Sequence, residues 1–213
     1  MYRCEAVSIA GFIQQLAVAY VANGYWFYVA GCVPQNKDPR AVDSKLIERY
    51  GIECSKWARC RRKERGLGNV QYLRFRRFFV LLATRGDHEF FEGESRIQDI
   101  RRRPIQCFGY SVGCYRGRTA DFHPSVRIER GLFRELKEEF LAMATTAAAE
   151  ILRVRFSHLP FEPYSPVRRQ VLRLLGAVNR ARRLAAIDEL PVGVLRLKRK
   201  PVAPFGESQL QQL

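Results

Sequence analysis

The sequence predicts an α+β fold: an antiparallel sheet with an N-terminal helix, a basic helical insertion and two covering C-terminal helices. Three observations predict it. Apolar residues recur at helical spacing near the N-terminus, strand-like segments fill residues 69–129, and two amphipathic helical stripes follow. The 213 residues, 47% of them hydrophobic, can bury a substantial core, and 12% aromatic content separates the chain from a disordered polycation.

The first element is the most ambiguous. No formal charge occurs between Glu5 and Lys37, a span long enough to cross a bilayer. Val29-Ala30-Gly31-Cys32 also imitates a lipoprotein cleavage site, with Arg3 upstream of the apolar run. Gln14-Gln15, Asn23-Gly24, the acidic Glu5 and the bulky aromatics before Cys32 all weigh against export. Helical spacing of Ile9, Phe12, Ile13, Leu16 and Tyr20, with Ser8 as N-cap, gives a better account. Asn23-Gly24 then ends a helix, and Tyr25–Ala30 reads as a buried strand. A cytoplasmic protein is expected, with membrane association as a disfavoured alternative.

After the turn residues Pro34–Pro39, Val42, Leu46 and Ile47 share a helical face, and Gly51 stops that helix. Ser55 caps a second helix to Glu64, closed near Gly66–Gly68. From Asn69 the period shortens to two. Tyr72, Arg74 and Arg76 are expected on one face of a strand, with Phe78–Ala83 running on into the core. A turn at Arg85-Gly86-Asp87 leads to a hairpin holding Glu92 and Glu94. Further strands are expected at Ile97–Arg101, Ile105–Tyr115 and Ser125–Glu129, with an exposed loop from Gly117 to Pro124.

Phe133, Leu136, Phe140, Met143, Ala147 and Ile151 predict one long helix. Three prolines between His158 and Pro166 mark a joint, and the division expected is a core over 1–160 and a basic helical extension over 161–213. In the last helix, Val167, Val171, Leu174, Leu175 and Val178 oppose Arg169, Arg173, Arg180 and Arg183. The Gln-rich end is expected to fray.

Charge supplies the functional expectation. Thirty-seven Lys and Arg against 21 Asp and Glu leave a formal +16, which attracts polyanions over long range. The densest run is Lys56, Arg59, Arg61, Arg62, Lys63 and Arg65 beside Trp57; Tyr72, Arg74, Arg76 and Arg77 form a second, and Arg101, Arg102 and Arg103 a third. With the Arg169/Arg173/Arg180/Arg183 stripe, these are the expected nucleic-acid-binding residues, since cations neutralise phosphates and exposed aromatics stack on unpaired bases. The expected partner is RNA or single-stranded or structured DNA, in the setting of a ribonucleoprotein or mobile-element complex with other protein subunits.

Rival chemistries are thinly represented. A metal-dependent nuclease or strand transferase would place Mg on Asp87, Glu92, Glu94 and Asp99, the one acidic concentration in the sheet region. A peripheral membrane protein would combine the uncharged N-terminus with the cationic faces. Zinc is disfavoured, because five residues separate Cys54 from Cys60 and six separate Cys107 from Cys114, looser than structural knuckles. The six cysteines are too scattered for a disulfide framework and are expected reduced. His88, His123 and His158 form no paired motif, Tyr110 and Tyr115 near Asp121 and His123 are expected to be structural, and Gly66-Leu67-Gly68 lacks a phosphate-loop fingerprint. No cofactor is expected.

Overall fold

A computed structural model describes residues 2–117 and 121–206, so part of the loop expected before Pro124 and the Gln-rich end lie outside the described residues. The architecture is α+β with antiparallel sheets and helices at both ends. Two compact units divide the chain: residues 1–105, 112–124 and 201–213 form the first, and residues 106–111 and 125–200 the second. The proline joint at 158–166 lies inside the second unit, away from the expected 160/161 division.

In the first unit, α1 (Ile9–Gln14) starts where Ser8 Oγ accepts from the Gly11 amide at 3.0 Å. It continues as a π-helical turn over Gln15–Tyr20 and a 3₁₀ turn over Val21–Asn23, ending at Gly24 with φ +87°. The wider turn shifts the inward face, so Ala17 and Val21 join Phe12, Leu16 and Tyr20 inside while Ile9 stays 40% exposed. The uncharged stretch is thus an irregular helix followed by a strand. No helix among the described residues is long and apolar enough to cross a membrane.

Strand β1 (Tyr25–Cys32) is followed by α2 (Pro39–Arg49), capped by Asp38, and α3 (Lys56–Glu64), capped by Ser55. Next come β2 (Val70–Phe75) and β3 (Phe78–Thr84). The strand expected to run on through residue 83 instead folds back at Arg76-Arg77, where Arg76 adopts φ +56° and Phe75 pairs with Phe78. After the single turn α4 (Phe90–Gly93), the two-residue β4 (Gln98–Asp99) pairs with β1. The sheet order is β2-β3-β1-β4, which places β3 and β1 at the centre and explains the apolar run Val80–Ala83.

The hairpin expected at 88–94 is α4 instead. Its turn is set by His88 Nδ1, which accepts from the Phe90 amide at 3.0 Å, and by burial of Phe90 edge-on against Tyr50.

A buried ion pair joins α2 to β2. Asp43 and Arg74 are 6% and 2% exposed, and Arg74 Nε meets Asp43 Oδ1 at 2.8 Å while Nη2 meets Oδ2 at 2.8 Å. Tyr72 donates its hydroxyl to the same carboxylate at 2.7 Å, and Glu5 adds a second carboxylate at 3.1 Å from Arg74. Residues Cys4–Ala6 run along the outer edge of β2, exchanging backbone hydrogen bonds with Arg74 at 2.8 and 2.7 Å. Edge and face are both covered, so this guanidinium has no route to solvent.

A three-stranded sheet in the order β5 (Ile105–Cys107), β6 (Tyr110–Arg116), β7 (Phe122–Ile128) contributes residues to both units. The single strand expected over 105–115 is divided at Phe108-Gly109, both in left-handed backbone (φ +51° and +78°), as a tight hairpin requires.

The second unit is chiefly helical: α5 (Arg130–Met143), α6 (Ala149–Ser157) and α7 (Ser165–Leu184). The long helix expected to Ile151 ends at Met143, and buried Arg182 donates to the Ala144 carbonyl at 2.9 Å just past that end. Phe140 of α5 and Phe156 of α6 stack with ring centres 4.5 Å apart. Gln170 of α7 clamps the Ile128 backbone through N–H and C=O at 2.8 and 3.0 Å.

Replacing Asp43 by Ala strands a buried guanidinium, and a loss of about 3–5 kcal/mol in urea-unfolding free energy is expected. The double variant Asp43→Leu/Arg74→Met removes both charges and is expected to recover most of that loss. A small effect of Asp43→Ala alone would show that the pair is dispensable.

Candidate nucleic-acid interface

Helix α3 presents two cationic stripes. Lys56, Arg59, Cys60 and Lys63 follow i, i+3, i+4, i+7 spacing and face a cleft, whereas Trp57, Arg61 and Arg65 follow i, i+4, i+8 spacing on another side. Trp57 is 76% exposed, and Lys56, Arg61, Lys63 and Arg65 are exposed as well. Two cations serve local structure: Arg62 donates to the Gly68 carbonyl at 3.2 and 3.1 Å, and Arg59 Nη1 to the Cys54 carbonyl.

The cleft has a volume of about 840 Å³ and belongs wholly to the first unit. Its floor is a neutral hydrogen-bonded network: Tyr2 donates to Gln71 Oε1 at 2.9 Å and lies 3.2 Å from the Tyr20 hydroxyl. Tyr20, Tyr25 and Gln71 are 5%, 6% and 4% exposed. The Lys63 ammonium bonds the Asn23 carbonyl at 2.9 Å and stands 5.8 Å above the Tyr25 ring. Ala19 and Phe205 supply apolar wall, Arg3 completes the cations, and Glu53 is the carboxylate of the lining.

The second and third basic runs are largely internal. The expectation that Tyr72 and Arg74 face outward is corrected: both are buried on the Asp43 carboxylate, because helix and edge segment cover both sides of β2. Arg76 is exposed at the hairpin turn, whereas Arg77 ties the 33–37 loop through the carbonyls of Val33, Pro34, Gln35 and Lys37. Arg101 lies 4.5 Å from the Trp26 ring centre and 5.3 Å from that of Phe122, and it chelates Asp99 at 2.6–3.1 Å. Those bonds hold the Asp99 carboxyl below the usual range. Arg102 and Arg103 remain exposed.

In the second unit, Arg169, Arg173, Arg180 and Arg183 are exposed while Val167, Val171, Leu174, Leu175 and Val178 are buried, the expected arrangement. Arg183 pairs with Glu189 at 3.1 Å.

The acidic residues are dispersed. Glu94 accepts the Tyr50 hydroxyl at 2.5 Å, Asp99 holds Arg101, Glu92 is exposed on α4, and Asp87 bonds Gly66 and Gly68 through its backbone. Among the described residues, no three His, Cys, Asp or Glu side chains converge as a metal-binding group. All six cysteines are free thiols, two of them buried.

The sequence reading missed Tyr2, Gln15, Tyr20, Tyr25, Gln71 and Phe205 as site residues. They come from four distant stretches, and no local pattern links them. Comparison with protein-family models, curated proteins and solved structures brings no match.

Burial raises the phenols of Tyr2, Tyr20, Tyr25, Tyr50, Tyr72, Tyr110 and Tyr164, with Tyr110 pushed up to about 12. A raised native pKa means that the unfolded chain loses its protons first, near pH ~10. Stability is therefore full below about pH 10 and declines as the pH rises toward the native values. Near-ultraviolet phenolate absorbance should show most of the nine tyrosines ionising only with alkaline unfolding; reversible ionisation of all nine around pH ~10 in folded protein would contradict their burial.

Proposed function

We propose that this protein binds nucleic acid, with α3 as its principal contact surface in the first unit and the α7 arginine stripe as the contact surface of the second. The supporting observation is Trp57, a large aromatic left 76% exposed within the densest run of cations in a +16 chain. Such a side chain is normally withdrawn from water, and its cost in isolation is offset when an unpaired base stacks on it. Arg61, one turn on, and Arg65, the C-cap of α3, follow it toward the C-terminal end of the helix and are positioned to neutralise phosphates. An exposed indole with guanidinium neighbours favours an unpaired strand over regular duplex, whose bases are already stacked.

Titration of labelled oligonucleotides at several salt concentrations tests the proposal. Trp57→Ala is expected to weaken single-strand binding by about 1–3 kcal/mol while changing duplex binding much less. Arg61→Ala and Arg65→Ala should each make the salt dependence shallower by about one unit of slope. Salt-insensitive binding, or none, overturns the reading.

The α7 stripe is tested separately. Replacing Arg169, Arg173 and Arg180 together by Ala should flatten the salt dependence further, and an unchanged slope removes α7 from the contact surface.

A further inference from the structure

We propose that the cleft beside α3 is a site for one unpaired nucleotide: phosphate on Lys56, Arg59 and Lys63, base against Phe205 and Ala19, and polar base edge toward Gln15 and Gln71. The assignment rests on the nucleic-acid reading and specifies which part of a strand the first unit takes in.

The lining divides into three chemistries that match the three parts of a nucleotide. Arg3, Lys56, Arg59 and Lys63 against the carboxylate Glu53 leave the cleft strongly cationic, which suits a phosphate. Lys63 has three donors and uses one on the Asn23 carbonyl, so two remain for an incoming oxygen. Arg59 commits Nη1 to the Cys54 carbonyl, and its fork has further N–H groups.

The floor selects against other ligands. Tyr2, Tyr20, Tyr25 and Gln71 are neutral groups in a mostly buried hydrogen-bonded network, and a wholly apolar ligand would cover the exposed Lys56 and Lys63 ammonium groups above it without pairing them. Burial keeps these phenols protonated, so the floor adds no negative charge beneath a phosphate. An inorganic anion would meet the cations yet leave the Phe205 and Ala19 wall in water. At about 840 Å³ the cleft falls within the range of small-molecule sites.

The test is calorimetric titration with uridine 5′-monophosphate, uridine and inorganic phosphate, followed by a short oligouridine. Saturable binding of the monophosphate is expected, with uridine and phosphate each at least about tenfold weaker. Lys56→Ala/Lys63→Ala, two exposed positions that leave the fold intact by circular dichroism, should weaken the monophosphate at least about tenfold, and Phe205→Ala should weaken both monophosphate and uridine. Oligouridine binding more tightly than the monophosphate marks a strand as the source of the nucleotide, and equal affinity marks a free nucleotide. No saturable monophosphate binding, phosphate binding as tightly as the monophosphate, or indifference to the lysine pair overturns the assignment. If oligonucleotides still bind through Trp57 when the cleft variants have no effect, the cleft assignment fails and the nucleic-acid reading survives. If no oligonucleotide binds while the monophosphate does, the nucleic-acid reading fails and the cleft is a free-nucleotide site.

Discussion

A carboxylate and a guanidinium, Asp43 and Arg74, are held together out of solvent between α2 and β2, and much of the first unit depends on that contact. Removing two charges from water costs several kcal/mol per ion, and the cost is recovered only where each is fully hydrogen-bonded. Here the Asp43 carboxylate receives Arg74 in bidentate fashion and the Tyr72 hydroxyl, while Glu5 gives Arg74 a second acceptor. A different register of β2, or a rotated α2, would leave these charges buried without partners. The pair thereby opposes alternative packings more than it adds net stability.

The same contact shapes the cleft. Tyr72 and Gln71 are consecutive on β2: fixing Tyr72 on Asp43 turns Gln71 to the opposite face, where it accepts from Tyr2. Tyr2 Oη also accepts from the Tyr72 amide at 3.0 Å, and Cys4–Ala6 then bond along Arg74. The polar floor and the buried pair therefore share one strand and one edge segment.

Charge in this protein has two uses. Arg74, Arg77, Arg101 and Arg182 are spent internally, on carboxylates, on loop and helix carbonyls and on aromatic faces. Arg61, Arg65, Arg102, Arg103 and the α7 stripe remain outside. Arginine suits both tasks because its planar, multiply donating head tolerates burial when its partners are coplanar, yet keeps its charge in any surroundings. Net charge alone therefore overstates the surface available to a polyanion.

Local physics carried far through the chain. Ser8 and Ser55 cap helices at the expected positions because a cap is satisfied by amides two or three residues away, and the opposed faces of α7 follow from helical periodicity. Trp57 and the α3 cations were legible as a site for the same reason: one short helix holds them. Residues Tyr72 and Arg74 were misplaced because a period of two says which side chains share a face, while whether that face meets water depends on what packs over it. The hairpin at Arg76-Arg77, the break after Met143 and the cleft were also out of reach of the linear pattern. The cleft and the Arg182 contact with Ala144 bring together segments far apart in the chain, and only the folded arrangement decides which of them meet.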